Sequence, residues 1–337
     1  MPGVVSKLTF QKKEVAVDRK NKFGHFFVFF AMLIFIGVQA PLGASAAYPE
    51  RPVEILIKAG PGSGADQLAR FVANLFPKYV GENAVVIYKK GGSGSIAQAY
   101  VQKRPADGYQ LFLDTTTMAI ITAQGKVPFT EDDWQAIIRL QVDPEGFAVR
   151  ADSPWKDLRD LVDWTKKNPG QLRWAGVHPV GIDPYTVGLL SEAAGGLDFK
   201  YVPTDGANHQ VALLLGKHID VATLNPQEVK EQAAAGNFRV IGMGHSERMA
   251  EFPDWPTFKE QGFDLESHIW RGVFAKAGTP RPIIDKLHDS LNRMRQSSEF
   301  KEFMRKSAQL DGYLGGPEKF QAYFSNEVKK MRTFFKK

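Results

Sequence analysis

Val53-Glu54-Ile55-Leu56-Ile57, then Gly60-Pro61-Gly62-Ser63-Gly64, then the run from Ala65 to Tyr79 form three consecutive segments of different character. The first is a short apolar run and reads as a strand. The second is a loop. In the third, Leu68, Ala69, Val72, Leu75 and Phe76 recur at i, i+1, i+4, i+7 and i+8, the apolar stripe of a helix. Asp66 lies in its first turn, where a carboxylate suits the helix dipole.

The same unit returns at once. Val85 to Tyr88 reads as a strand, Gly91-Gly92-Ser93-Gly94 as a loop and Ser95 to Gln102 as a helix. Arg104-Pro105-Ala106-Asp107-Gly108 is a turn by its Pro and Asp-Gly, and Leu111-Phe112-Leu113 is a third strand, ending at Asp114-Thr115-Thr116-Thr117. Strand–helix alternation implies an α/β fold with a parallel, doubly wound sheet. Ligands of such sheets bind at the carboxyl ends of the strands, where all three polar loops fall.

A second set of elements follows. Ser153-Pro154 precedes a helix with Leu158, Leu161, Val162 and Trp164 on one face. Strands are expected at Leu172–Ala175, Phe199–Val202, Ile219–Ala222 and Val240–Gly242, and helices at Asp183–Ala194 and Ala207–Leu215. The C-terminal part is helical: Pro282 opens one apolar stripe, Ile283 to Met294, and Pro317 precedes another, Phe320 to Met331.

The 337 residues suggest about two domains of ordinary globular composition, with 43% hydrophobic and 24% charged residues. The chain has no cysteine, which excludes disulfides, thiolate metal sites and a cysteine nucleophile. Its net charge of +6 is uneven: residues 1–46 carry six basic and two acidic side chains, leaving 37 basic and 35 acidic on the remainder. A nucleic-acid partner is therefore not expected. Residues 7–22 are basic, the apolar run of 13 from Phe26 to Val38 follows, and Ala44-Ser45-Ala46 has the A-x-A form of a cleavage site. That order is a secretory signal over residues 1–46, and its apolar run is shorter than the roughly 20 residues of a spanning helix. The expected product is periplasmic and soluble, starting near Ala47.

The paired loops are the strongest chemical feature. Each follows a strand and opens a helix, so its backbone N–H groups favour an anion, and two side by side suit one carboxylate. Gly60-Pro61-Gly62-Ser63-Gly64-Ala65 also fits the loose dinucleotide pattern G-x-G-x-x-A, and Lys89-Lys90 after the second strand suit a 2′-phosphate, so an NADP-dependent enzyme stands as an alternative. Neither a P-loop nor a G-x-S-x-G elbow is present. The histidines form no H-E-x-x-H or close ligand pair, so no metal is expected, and no carboxylate pair stands out for acid–base work.

Several short motifs in order make the chain from Tyr48 onward resemble the extracytoplasmic solute-binding receptors of tripartite tricarboxylate transporters, also called Bug-type proteins. They include Tyr48-Pro49-Glu50-Arg51-Pro52-Val53, Gly62-Ser63-Gly64-Ala65-Asp66 and Gly91-Gly92-Ser93-Gly94-Ser95. Pro105-Ala106-Asp107-Gly108-Tyr109, Asn168-Pro169-Gly170, Pro253-Asp254-Trp255-Pro256-Thr257 and Trp270-Arg271-Gly272 continue the series.

The resemblance implies a two-lobed periplasmic-binding-protein-like fold of type II with a ligand cleft between lobes. Residues 47–147 plus 274–337 would form lobe 1 and residues 148–273 lobe 2. It implies no enzyme activity and no cofactor. The partners it implies are a small carboxylate and the membrane subunits of a transporter, met by a monomer; a ligand sensor for a signalling receptor is a further alternative. The ligand-binding positions it implies are Gly62, Ser63, Gly64 and Asp66, then Gly92, Ser93, Gly94 and Ser95, with Thr115 and Thr116 on the same wall. The opposite wall would carry His178, Gly181, Tyr185, Thr204, Asp205 and Asn225. That wall departs from the family pattern at Val177-His178-Pro179-Val180, Thr204-Asp205 and Leu224, so the ligand stays open among carboxylates, amino acids and aromatic acids. Asp205 is either the partner of a ligand amine or a solvated loop residue. Arg271 either binds a carboxylate or locks the hinge through an ion pair.

Overall fold

The computed structural model describes residues 48–336 except 178 and 180. The segment read as a secretory signal and His178 lie outside the described residues. No described helix is long and apolar enough to cross a membrane.

Two sheets are flanked by helices. The first holds six strands: β1 (Val53–Ile57), β2 (Ala84–Tyr88), β3 (Gln110–Thr115), β4 (Trp134–Pro144), β10 (His268–Lys276) and β11 (Leu310–Asp311), in the order β11-β4-β10-β3-β1-β2. The second holds β5 (Gly146–Arg150), β6 (Arg173–Val177), β7 (Lys200–Thr204), β8 (Val221–Leu224) and β9 (Phe238–Met243), in the order β7-β6-β8-β5-β9.

The alternation read in the sequence produces the parallel cores, β2-β1-β3 and β7-β6-β8. Each sheet also contains a strand of opposite direction inserted beside its parallel core, and the short β11 at the edge of the first sheet is likewise reversed. β10 lies antiparallel between β3 and β4, and β5 lies antiparallel between β8 and β9. Sheet membership changes between Pro144 and Gly146 and again between Met243 and His268. The boundaries expected from the sequence, 147/148 and 273/274, fall inside β5 and β10. At the passage between sheets, Glu145 N–H donates to the Ser267 carbonyl at 2.9 Å, Gly244 N–H to the Glu145 carbonyl at 2.7 Å and Ser267 N–H to the Gly244 carbonyl at 3.0 Å. A Cβ at Gly244 would strike the Ser267 backbone, so only glycine lets the strands run this close.

The helices are α1 (Gly64–Val80), α2 (Ser95–Gln102), α3 (Thr117–Ala123), α4 (Leu158–Lys167), α5 (Ile182–Ala193), α6 (Ala207–Leu215), α7 (Pro226–Ala234), α8 (Arg281–Arg295), α9 (Ser298–Lys306) and α10 (Pro317–Phe334). In α1, Leu68, Ala69, Val72, Phe76 and Val80 are buried, the stripe read from the sequence extended by one turn. One core contains Leu56, Phe112, Trp270, Phe274, Phe320 and Phe324. A second gathers Phe147, Trp174, Leu190 and Phe258 under the other sheet. Each such aromatic contributes roughly 1.5–3 kcal/mol through its burial, so β10, carrying Trp270 and Phe274, anchors the first sheet firmly.

Candidate functional site

The carboxyl ends of β1, β2 and β3 lie side by side because β1 pairs in parallel with both neighbours. After β1, Ser63 caps α1: its Oγ accepts from Asp66 N–H at 3.2 Å and donates to the Gly60 carbonyl at 2.8 Å. Gln67 N–H turns back to the Ser63 carbonyl. The Gly64 and Ala65 amides, the first two of the helix, therefore have no partner among the described residues. After β2, Gly92–Gly94 forms a tight turn into α2, with Gly94 N–H bonded to the Gly91 carbonyl and Ser95 N–H to that of Gly92. The Gly92 and Ser93 amides have no partner among the described residues. Ser93 has φ 53, a left-handed conformation that costs a non-glycine residue about 1–2 kcal/mol and concentrates at ligand sites.

Asp66 holds the first loop in shape. Its Oδ2 accepts from Gly62 N–H at 2.7 Å, and its Oδ1 from the Tyr88 hydroxyl at 2.6 Å and Arg70 Nε at 2.9 Å. Burial opposes ionisation, but the Tyr88 hydroxyl, the Gly62 amide and Arg70 outweigh it and hold this carboxyl below its ordinary range. Tyr88 ends β2, so the same contact ties the first loop to the second.

Lys58 packs against the second loop. A Cβ on Gly94, whose φ is 111, would lie 2.7 Å from Lys58 Cδ. Its Nζ is 2.6 Å from Asp114 Oδ1, an ion-pair contact whose angles fall short of a hydrogen bond. Asp114 ends the buried part of β3; burial pushes its carboxyl up, and Lys58 opposes that. Lys58 and Asp114 thus form a compensated ion pair beside the second loop.

Arg271, on β10, lies beside the first loop: a Cβ on Gly64 would sit 2.7 Å from its Nη2. It faces Asp143 at 3.5 Å and donates to Gln141 Oε1 at 3.1 Å and Gln309 Oε1 at 3.0 Å. This ion pair joins β10 to β4 within the first sheet.

The facing wall is acidic. Asp183 accepts from Val177 N–H at 2.7 Å, tying the start of α5 to the end of β6. Burial raises its carboxyl to about 6. Glu145, in the passage between sheets, is pushed well above its ordinary value by burial and by Asp183, Glu228 and Asp143. Among the described residues no cation pairs with Glu145 or Asp183, and no such cluster is arranged to hold a metal ion.

The positions expected to bind ligand fall into three groups. Gly62, Ser63, Gly64, Asp66, Gly92, Ser93, Gly94, Ser95 and Thr115 are brought together at the strand ends, although Asp66 shapes the loop instead of facing outward. Thr116 is buried, its hydroxyl donating to the His268 carbonyl at 3.1 Å and accepting from Trp270 N–H at 2.9 Å. Asn225 is also occupied: its Nδ2 donates to the Pro144 carbonyl at 2.9 Å, and its N–H to Glu228 Oε2. Gly181 is the residue just before α5, and Thr204 is buried with its hydroxyl donating to the Gly176 carbonyl at 3.2 Å. Asp205 is exposed. Tyr185 turns toward α10, its ring edge-on to Phe334 at 4.9 Å. Sequence reading passed over Lys58, Asp143 and Glu145. A lone basic residue straight after a strand that leads into a glycine loop is a usable signal; a carboxylate buried at a strand crossing is not.

Of the two lysines that suit a 2′-phosphate, Lys89 lies over the Tyr100 ring at 4.4 Å. The family model described as tripartite tricarboxylate transporter family receptor matches residues 68–337. A UPF0065 protein in the tcbD-tcbE intergenic region of Pseudomonas sp. (strain P51) is 26% identical over 290 residues, covering 84% of this chain and 85% of the relative. Among solved structures, a TctC solute binding protein from Polaromonas is 26% identical with a TM-score of 0.78, covering 86% of this chain and 99% of that one. MatC from Rhodopseudomonas palustris, solved with bound malate, is 22% identical with a TM-score of 0.70, covering 85% and 99%.

Proposed function

Because the chain belongs to the tripartite tricarboxylate transporter family of receptors, we propose that it captures a small organic carboxylate and hands it to the membrane subunits of a transporter. The family and the fold are those of periplasmic solute-binding receptors, not of enzymes. The observation that carries the reading is that two sets of open loop amides, Gly64–Ala65 and Gly92–Ser93, follow neighbouring parallel strands, with Lys58 packed against the second loop at Gly94. Amides at helix starts favour an anion, and Lys58 beside the second loop is paired with Asp114, so the amides carry the attraction. The bound malate of the Rhodopseudomonas palustris neighbour supports the same ligand class.

In this reading the two sheets are the cores of two lobes. The passage at Glu145, Gly244 and Ser267 is the hinge, and closure brings the Gly181, Thr204 and Asp205 wall over the ligand. Export by the N-terminal segment places the receptor in the periplasm.

The test is thermal melting of ligand-stripped protein with mono-, di- and tricarboxylates, amino acids, aromatic acids and NADPH. A ligand at about 100 times its Kd adds roughly 2.7 kcal/mol. Stabilisation by a carboxylate is expected; stabilisation by NADPH alone would replace this reading with the dinucleotide one.

A further inference from the structure

We infer that Lys90 is a specificity-determining residue of the carboxylate site: its ammonium group, lying against the first glycine loop, makes a charged contact to the carboxylate that the loop amides hold. The inference rests on the carboxylate reading above. It adds the full charge that Lys58, paired with Asp114, does not supply.

The strand register sets the position. β1 and β2 pair in parallel with Ile57 opposite Tyr88, so Gly60 and Lys90 both lie just beyond the carboxyl ends of these strands. Lys90 belongs to the segment that leads into the second loop, yet its side chain crosses to the first. A Cβ placed on Gly60 would lie 2.8 Å from Lys90 Nζ and 2.9 Å from its Cε. Gly60 is the residue whose carbonyl accepts from both the Ser63 N–H and the Ser63 hydroxyl. The ammonium therefore rests at the foot of the turn that presents the Gly64 and Ala65 amides.

Two glycines of this loop serve different ends. Gly62 has a φ of 85 and nothing within 4 Å of an added Cβ, so its backbone conformation calls for glycine. Gly60 has no left-handed φ, and that demand does not apply to it. What a side chain at Gly60 would meet is the end of Lys90. A lysine end can swing aside, so Gly60 does not fix Lys90; it leaves the ammonium a clear path onto the loop.

Neighbouring cations at this end of the sheet are already engaged. Arg70 pairs with Asp66 at 2.9 Å and Arg271 with Asp143 at 3.5 Å, as Lys58 does with Asp114. Lys89 lies over the Tyr100 ring. Lys90 is exposed and has neither a carboxylate nor a ring as partner among the described residues. A compact charge on a flexible stem can follow an anion into the cleft. Its attraction strengthens as closure displaces water and lowers the effective dielectric. The amides then select the geometry of the carboxylate, and Lys90 responds to its charge.

The experiment is titration calorimetry of the ligand-stripped protein with acetate, succinate, malate, adipate and citrate. The unaltered protein, Lys90→Met and Lys90→Arg are compared. Lys90→Met should bind the tightest of these compounds about tenfold more weakly, the loss of one charge-assisted hydrogen bond. Its affinity should also change less between about 10 mM and about 0.15 M salt, across which the screening length falls from roughly 30 to 8 Å. Lys90→Arg keeps the charge and the donors and should regain most of the affinity. Melting without ligand should be the same in all three, because an exposed side chain without partners contributes little to stability. Equal affinity in Lys90→Met, or a loss with unchanged salt dependence, would overturn this inference and leave the carboxylate reading standing. A loss that Lys90→Arg does not restore and that comes with lower melting would assign Lys90 a structural role and overturn it as well. No binding of any of these compounds to the unaltered protein would overturn both readings.

Discussion

The ends of the two sheets handle buried charge in opposite ways. At the first sheet each buried carboxylate has a dedicated partner: Asp66 has Arg70 and Tyr88, and Asp114 has Lys58. At the second sheet and the passage into it, Asp183 and Glu145 are buried with amide and side-chain hydrogen bonds only. The first wall is thus a rigid, compensated cradle that exposes amides. The second is an acidic surface whose ionised form is disfavoured until a positive group approaches.

The largest effect that would break this contrast is at Lys58. Lys58→Met leaves Asp114 buried beside no cation, and losing one partner of such a pair costs about 3–5 kcal/mol. Urea unfolding should show that loss, and adding Asp114→Asn should restore much of it. A single-variant loss below about 1 kcal/mol would mean that the first wall is not compensated in the way described.

Next comes pH. Asp183 holds its proton to about pH 6 in the folded protein, against an ordinary value of 3.8. Between about pH 4 and pH 6 the folded state therefore binds more protons than the unfolded chain, and stability falls as pH rises. Two units are worth about 3 kcal/mol. Glu145, shifted the same way, adds to the fall. Asp66 acts in the opposite sense: its lowered value contributes stability above its ordinary pKa that is lost as pH falls through the folded one. Asp183→Asn should flatten the fall in thermal stability between pH 4 and pH 6. An unchanged profile would remove Asp183 as its source.

The smallest effects sharpen the first wall. Ser63→Ala removes the cap of α1 and should cost about 1 kcal/mol by chemical unfolding. Tyr88→Phe removes one of three bonds to Asp66 and should cost about 0.5–1.5 kcal/mol, with a larger proportional loss in carboxylate affinity than in stability. Equal binding in Tyr88→Phe would separate the loop's shape from its function.

Much of the first wall was legible because its logic is local. The strand, glycine loop and helix occur in sequence twice, and the helix expected from Ser95 to Gln102 is α2. Of the strands that join the sheets, β9 was expected, but β4, β5 and β10 were not legible. β4 is buried on both faces yet carries Arg139, Gln141 and Asp143, so it shows neither alternation nor an apolar run. Their partners, Gly312, Arg271 and Asn225 among them, come from distant parts of the chain. α3 and α7 were missed for a related reason: Thr117 and Pro226 start helices directly at strand ends, where the sequence reads as loop. The second wall depends on such long-range contacts, and Tyr185 shows the result. Its helix was expected, but the face on which it meets Phe334 is set by α10.

The central claim is that open amides of two glycine loops hold a carboxylate. The most direct measurement follows the amide resonances of the ¹⁵N-labelled protein while a stabilising carboxylate is titrated to saturation. Gly64, Ala65, Gly92 and Ser93 are predicted to shift together and most strongly, with one common Kd. Saturation that moves other amides and leaves these four in place would contradict it.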